Sequence, residues 1–173
     1  PENPRPGKVR YADVRRMLAM MKAEVFAARA IALDCGLSID MARATGKDSW
    51  KARAALLTPI AKAHGTDIGC EVSSMGVQVH GGMGFIEETG AAQYFRDARI
   101  TPIYEGTNGI QAMDLVGRKM MDGGDAACRL LQEVEDSAEA ARSVMPDLAE
   151  KVWGAAETMR EATEWLVAQE AGD

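Results

Sequence analysis

The chain has 173 residues, 47% hydrophobic but only 5% aromatic, with 27% charged residues and a formal net charge of −6. A chain of this length can bury a sizeable core without disulfides or a structural metal, and no apolar run reaches the ~18 residues of a membrane span. From Asp125 onward 12 acidic residues face 4 basic ones, whereas the preceding part carries 14 and 16, a near-neutral body with an acidic tail that disfavours nucleic acid.

The opening Pro1, Glu2, Asn3, Pro4, Arg5 and Pro6 has nothing of a signal peptide, so the expected location is cytoplasmic. It also lacks an initiating methionine, and the chain reads as a piece of something longer. From Val14, the residues Met17, Leu18, Met21, Val25, Ala28, Ala32, Cys35 and Ile39 recur at three- and four-residue steps. That spacing predicts one stripe of a long helix, with Asp13 as N-cap and Gly46 as its end. Met17, Met20 and Met21 read as helix core. A second helical pattern starts near Ser49 and runs through Leu56, Leu57, Ile60, His64, Ile68, Val72, Met75 and Val79 to Gly81-Gly82. Pro59 either kinks it or opens its main segment, with Thr58 as cap.

The segment His80-Gly81-Gly82-Met83-Gly84-Phe85 is a glycine-rich turn whose backbone can come close to a ligand or another chain. A short helix over 89–98 is expected next, then a loop over 100–109 containing Pro102 and Glu105, then a helix over 110–121. After Gly123-Gly124 the positions Leu130, Leu131, Val134, Ala138, Ala141 and Val144, then Leu148, Val152, Ala156, Met159, Thr163 and Leu166, predict an amphipathic helical hairpin with its acidic faces in water. Without strand-like alternation or an internal repeat, the fold class is all-α. The expected division is a bundle over 1–124 and a helical extension over 125–173.

Cys35, Cys70 and Cys128 are too few and too scattered for a disulfide framework or zinc site and read as buried small hydrophobes. His64 and His80 lack a third ligand, so no metal is expected. Ser73, Ser74 and Cys70 have no nucleophile elbow or nearby base. Arg96 and Asp97 read as partners of other helices. The glycine-rich segment has no Gly-Lys-Ser/Thr and no preceding strand, which excludes a Walker loop and a Rossmann turn. Gln78, His80 and Gly81, Gly82 and Gly84 could offer amides to a polar ligand, or form only a tight turn. Glu105 is the one charge in the loop over 101–110. Poor solvation of such a carboxylate would suit a general base facing a dry cleft, but the local pattern by itself favours an exposed loop glutamate.

Val77-Gln-Val-His-Gly-Gly-Met-Gly-Phe85 followed by Tyr94-Phe-Arg-Asp-Ala-Arg-Ile-Thr-Pro-Ile-Tyr-Glu-Gly-Thr-Asn-Gly-Ile-Gln111 resembles the C-terminal helical domain of acyl-CoA dehydrogenases, and Ala61-Lys62-Ala63 fits as well. The resemblance covers about residues 11–121. The tail resembles the extension of the larger members, among them the methylthiopropanoyl-CoA dehydrogenases.

The resemblance implies an FAD-dependent oxidoreductase that converts an acyl-CoA to its 2,3-enoyl-CoA. It casts Glu105 as the base removing the α-proton, while the β-hydride passes to FAD. It implies that the thioester oxygen is held by the backbone N–H of the base and by a cofactor hydroxyl. It also implies that Gln78, Gly81, Gly82 and Met83 line an FAD largely of a neighbouring subunit, that Thr107 and Asn108 contact the subunit's own FAD, and that Tyr104 and Gly106 adjoin the substrate. Gly109 stands where smaller members often have glutamine. Electron-transfer flavoprotein is the implied electron acceptor and a homo-oligomer, dimer or tetramer, the implied assembly. The family's N-terminal helical domain, its β-domain and the first bundle helix have no counterpart in the chain, so the fragment alone is expected to be inactive. A non-catalytic oligomerisation module and an acyl-CoA oxidase are the alternative readings.

Overall fold

The computed structural model describes residues 7–120 and 122–170, and among them every regular element is helical. A short 3-10 turn, Lys8–Arg10, precedes α1, Ala12–Thr45, and α2, Asp48–His80. Then come α3, Gly82–Phe85, a 3-10 turn at Glu87–Thr89, and α4, Ala91–Arg99. Helix α5, Asn108–Asp114, runs into a π-helical turn, Leu115–Lys119, and the chain closes with α6, Asp125–Ala141, and α7, Pro146–Glu170. The opening prolines lie outside the described residues, as does Met121, where the helix expected over 110–121 was to end.

Several boundaries differ from the sequence reading for local reasons. α1 begins before Asp13, so that carboxylate is inside the first turn, paired to Arg16 at 2.8 Å rather than capping. There it still opposes the positive end of the helix dipole. α1 does end where expected, with Gly46 in a left-handed conformation (φ 69°). α2 continues through Pro59. Thr58 is not a cap: its hydroxyl donates to the Ala54 carbonyl one turn back, at 2.7 Å. The glycine-rich turn contains a helical turn of its own, α3, and Gly90 in the left-handed region (φ 75°) delays α4 beyond Thr89.

The chain divides into two compact units. The first joins the described residues up to Asp34 with Ile60–Gly109, and the second joins Cys35–Pro59 with the described residues from Ile110. Each takes a share of both long helices.

In the first unit Met17, Ile68, Gly84 and Ala91 are buried. The methionine stripe is only partly core: Met20 is exposed and its sulfur accepts from Arg16. The Cys70 thiol, half-buried rather than buried, donates to the Ala98 carbonyl at 3.4 Å. Arg96 pairs outside its own helix, with Glu87 of the preceding 3-10 turn at 3.5 Å, whereas Asp97 accepts from Gln93 on its own helix.

The second unit buries Cys35, Ser38, Leu56, Leu57, Pro59, Met120 and a seam of alanines, Ala126, Ala138, Ala149 and Ala156. In the hairpin α6 and α7 meet through these small residues, while Val144, Leu148 and Met159, expected on the apolar stripe, are exposed. Cys128 is half-buried. The acidic faces are not all in water: Glu135 is 7% exposed and receives both Nε and Nη2 of Arg160, at 3.0 and 2.8 Å. That bond also holds the Arg160 pKa above its ordinary value. Outside the seam, Arg142 reaches Glu139 and Glu150 and lies 5.8 Å from the Trp153 ring centre, and Arg53 of α2 clamps Glu133 of α6 at 2.7 Å. At the π-helical turn the Arg118 guanidinium, hydrogen-bonded to Asp114, holds that carboxyl below the usual carboxylate range.

Removing one partner of a buried ion pair strands the other, whereas an exposed pair contributes little. Arg160→Met is therefore expected to lower the thermal unfolding midpoint more than Arg142→Met, whose partners Glu139 and Glu150 are 60% and 73% exposed. Equal shifts in calorimetry would show that Glu135 does not depend on Arg160.

Candidate functional site

The site is built on the first unit, from the end of α2, the turn after it and the loop between α4 and α5. At the end of α2 Gln78, Gly81, Gly82 and Met83 are all exposed. Gly81 has φ 68° and ψ −147°, a positive-φ conformation that glycine adopts freely, and its N–H donates to the Gln78 carbonyl at 3.0 Å. A Cβ added to Gly82 would meet nothing within 4 Å, so the backbone there lies open. Gly84 is the opposite case. It is buried, and a Cβ on it would stand 2.2 Å from the Val77 carbonyl oxygen and 2.8 Å from His80 Cβ. The Gly84 N–H closes the turn onto the Gly81 carbonyl at 2.8 Å, and the Thr89 hydroxyl donates to the Met83 carbonyl.

In the second part of the site, the chain leaves α4 through tight turns in which Ile103 and Tyr104 both donate to the Ile100 carbonyl, and the loop is closed by Asn108 N–H on the Pro102 carbonyl at 3.2 Å. At its tip Glu105 has φ 53°; no other described residue apart from glycine has a positive φ. Gly106 follows at φ 89°. A side chain in the left-handed region costs on the order of 1–2 kcal/mol and persists only where surroundings impose it. Glu105 is exposed, and so are Tyr104 and Thr107 beside it, while Gly106 and Asn108 are half-buried.

A polar cluster from α2 holds this loop, and it is the part of the site that sequence reasoning missed. Lys62 Nζ donates to the Gly106 carbonyl at 2.6 Å and to Asn108 Oδ1 at 2.9 Å. Asn108 Nδ2 donates to Asp67 Oδ1 at 2.7 Å and stands 3.1 Å from Thr66 Oγ1. The Thr66 hydroxyl has one proton, with the Lys62 carbonyl at 2.9 Å and the Ala63 carbonyl and Asn108 Oδ1 at 3.1 Å in reach of it, and it can accept from Nδ2 when that proton goes to a carbonyl. The flipped amide would set an NH₂ against the ammonium, so the network itself orients the side chain. In the sequence Lys62 stands out only as part of Ala61-Lys62-Ala63. Its one sequence signal is a basic residue within the predicted helix, four and five residues before Thr66 and Asp67.

The candidate residues thus form two groups, Gln78, Gly81, Gly82 and Met83 at the end of α2, and Tyr104 to Asn108 in the loop. A Cβ on Gly109 would meet only Thr107 Oγ1, at an ordinary 3.8 Å, so glycine is not required there for space. Grooves flank α4. One, of about 460 Å³, is lined by Met21, Val72, Gly76 and Tyr94 among others, and one of about 680 Å³ by Val77, Phe85 and Phe95. Glu105 lines neither.

Comparison with known proteins connects this arrangement to a family. The sequence model for the C-terminal domain of acyl-CoA dehydrogenases matches residues 6–121, which include both parts of the site. The chain belongs to the acyl-CoA dehydrogenase family. It is 49% identical over 131 residues to 3-methylmercaptopropionyl-CoA dehydrogenase of Ruegeria pomeroyi, covering 73% of this chain and 22% of that protein. It is 34% identical over 141 residues to a butyryl-CoA dehydrogenase of Syntrophomonas wolfei, covering 79% of this chain and 23% of the relative. With the broad-specificity linear acyl-CoA dehydrogenase FadE5 of Mycobacterium tuberculosis it shares 32% over 139 residues, 77% of this chain and 23% of the relative. The chain therefore spans less than a quarter of the length of these relatives. No helix among the described residues is long and apolar enough to cross a membrane.

The clearance at Gly84 is the most easily tested element of the site. Gly84→Ala forces backbone to move and is expected to destabilise by about 1–3 kcal/mol in urea unfolding, whereas Gly82→Ala, with open space above it, should stay within about 0.5 kcal/mol. Similar values for the two would show that the close approach to Val77 is not maintained in solution.

Proposed function

We propose that this chain is the C-terminal helical part of an FAD-dependent acyl-CoA dehydrogenase in which Glu105 is the base that takes the α-proton of an acyl-CoA thioester. The observation that carries the reading is the backbone at Glu105. The chain spends conformational energy to present a carboxylate at the tip of a cross-linked loop, where glycine or asparagine would sit more easily. A purely structural loop has no need of that choice.

The chemistry sets the requirements. An α-proton beside a thioester is very weakly acidic, so the base has to be held in line with the C–H bond and removed from water, and the thioester oxygen has to be hydrogen-bonded as it gains negative charge. The loop answers the first requirement. Glu105 is exposed on this surface, so the exclusion of water falls to atoms beyond the described loop, the bound substrate among them. When bound, FAD supplies the two-electron acceptor for the hydride that leaves the β-carbon.

The residues at the end of α2 fit such a cofactor. Gln78, Gly81, Gly82 and Met83 are exposed side by side, and open backbone at Gly82 leaves room for a bulky anionic ligand. In this reading those residues line an FAD held largely by a neighbouring subunit, while Thr107 and Asn108 contact the subunit's own FAD; the Asn108 amide is engaged by Lys62 and Asp67 and its N–H by the Pro102 carbonyl. Tyr104 and Gly106 adjoin the substrate. A homo-oligomer, with electron-transfer flavoprotein as electron acceptor, completes the reading; the exposed Phe26 and Leu33 of α1, at 75% and 73%, are consistent with such an assembly. The relative at 49% identity is named for 3-methylmercaptopropionyl-CoA, which makes that thioether the first substrate to assay, with butyryl-CoA second.

In the natural gene product containing this sequence, supplied with FAD and these two acyl-CoAs, Glu105→Gln is expected to lower the dehydrogenation rate by about 10²–10⁴-fold with the fold unchanged by circular dichroism. Wild-type turnover in that variant would remove Glu105 as the base.

A further inference from the structure

We propose that Lys62 of α2 is the positioning residue for the Glu105 carboxylate, acting through the Gly106 carbonyl and the Asn108 amide. The proposal rests on the reading of Glu105 as base and adds what keeps that base in place. Gly106 is the next residue in the chain, so the 2.6 Å bond from Lys62 Nζ to its carbonyl grips the loop one peptide away from the carboxylate-bearing residue. The second bond, 2.9 Å to Asn108 Oδ1, fixes the point at which the loop enters α5. The two consecutive positive-φ residues, Glu105 and Gly106, lead directly into the first anchor. That conformation is not one a glutamate holds unaided. Loss of the ammonium would let the strained pair relax and carry the carboxylate with it.

Two features separate this lysine from ordinary packing. It is half-buried, yet both oxygens it binds are neutral, so part of its hydration is given up for partners weaker than a carboxylate. An apolar residue would fill the same helix position at less cost. The charge is balanced at one remove: Asp67, five residues along α2, accepts from the other end of the same Asn108 amide. Ammonium, amide and carboxylate thus form a polarised chain anchored at both ends on one helix, which is the rigid support a reacting group needs if it is to be held within a few tenths of an ångström.

The test is Lys62→Met in the natural gene product, which keeps the stem and removes the donors. Hydrogen–deuterium exchange should show faster exchange over residues 103–109, with α6 and α7 unchanged. With butyryl-CoA or 3-methylmercaptopropionyl-CoA, kcat should fall on the order of 10²-fold while KM moves little, the signature of a misplaced reacting group. Lys62→Arg, which retains charge and donors, should recover part of that loss. Asp67→Asn is a gentler second variant that weakens only the far anchor. It should show the same pattern in smaller measure, and it decides the matter if Lys62→Met does not fold. Wild-type loop exchange, or a loosened loop with wild-type kcat, overturns the proposal. Glu105→Gln measured in parallel separates the two readings. If it retains activity, the base assignment falls and the Lys62 proposal falls with it. If it is inactive while the Lys62 and Asp67 variants behave as wild type, only the positioning role falls.

Discussion

A carboxylate that must stand at the tip of a loop in a left-handed backbone conformation needs something outside the loop to hold it there. In this chain that support is the hydrogen bond from Lys62 to the Gly106 carbonyl, reinforced through Asn108. Loop closure by Asn108 on Pro102 and the turns at Ile100 are local and set the loop's outline. The tie to α2 is long-range and sets its position. Such a division of labour is common where a reactive group sits on a loop, because loops carry function while regular elements carry rigidity.

The end of α2 solves a different problem by the opposite means. There the backbone is brought close and then left bare. Gly84 allows the turn to fold onto Val77 with no side chain between, while Gly81 and Gly82 leave an open stretch of main chain beside the exposed Gln78 and Met83. The same residue type thus serves contact at one position and access at its neighbours. In the loop the chain is held by charge; here it is held by shape.

Much of this was legible in the sequence where cause and effect lie within a few residues. The three- and four-residue spacing from Val14 and from Leu56 marked the long helices, and Gly46 marked an end, because each depends on local backbone chemistry. Pro59 misled in part, since its neighbour Thr58 turns its hydroxyl into the helix instead of capping a new one. The run of glycines suggested only a turn, although one helical turn, Gly82–Phe85, fits within it. Glu105 came into view through its motif, which lies within the residues 6–121 that match the family model. Its backbone conformation did not, nor did the fastening of Gly106 and Asn108 to Lys62, because partners 44 and 46 residues apart leave no periodic trace. Glu135 was hidden for the same reason: among so many acids in the tail, nothing marks the one whose arginine lies 25 residues on.

The seam between α6 and α7 has a thermodynamic consequence of its own. Ala126, Ala138, Ala149 and Ala156 are buried with no rotamers to lose, so closing this hairpin costs little side-chain entropy. The same choice buries little apolar area per residue, and the heat-capacity change on unfolding scales with that area. A hairpin assembled in this way gains less from the hydrophobic effect and is also less sensitive to its temperature dependence. Its stability follows a flatter curve than a leucine-packed pair of equal length, changing less between cold and warm conditions.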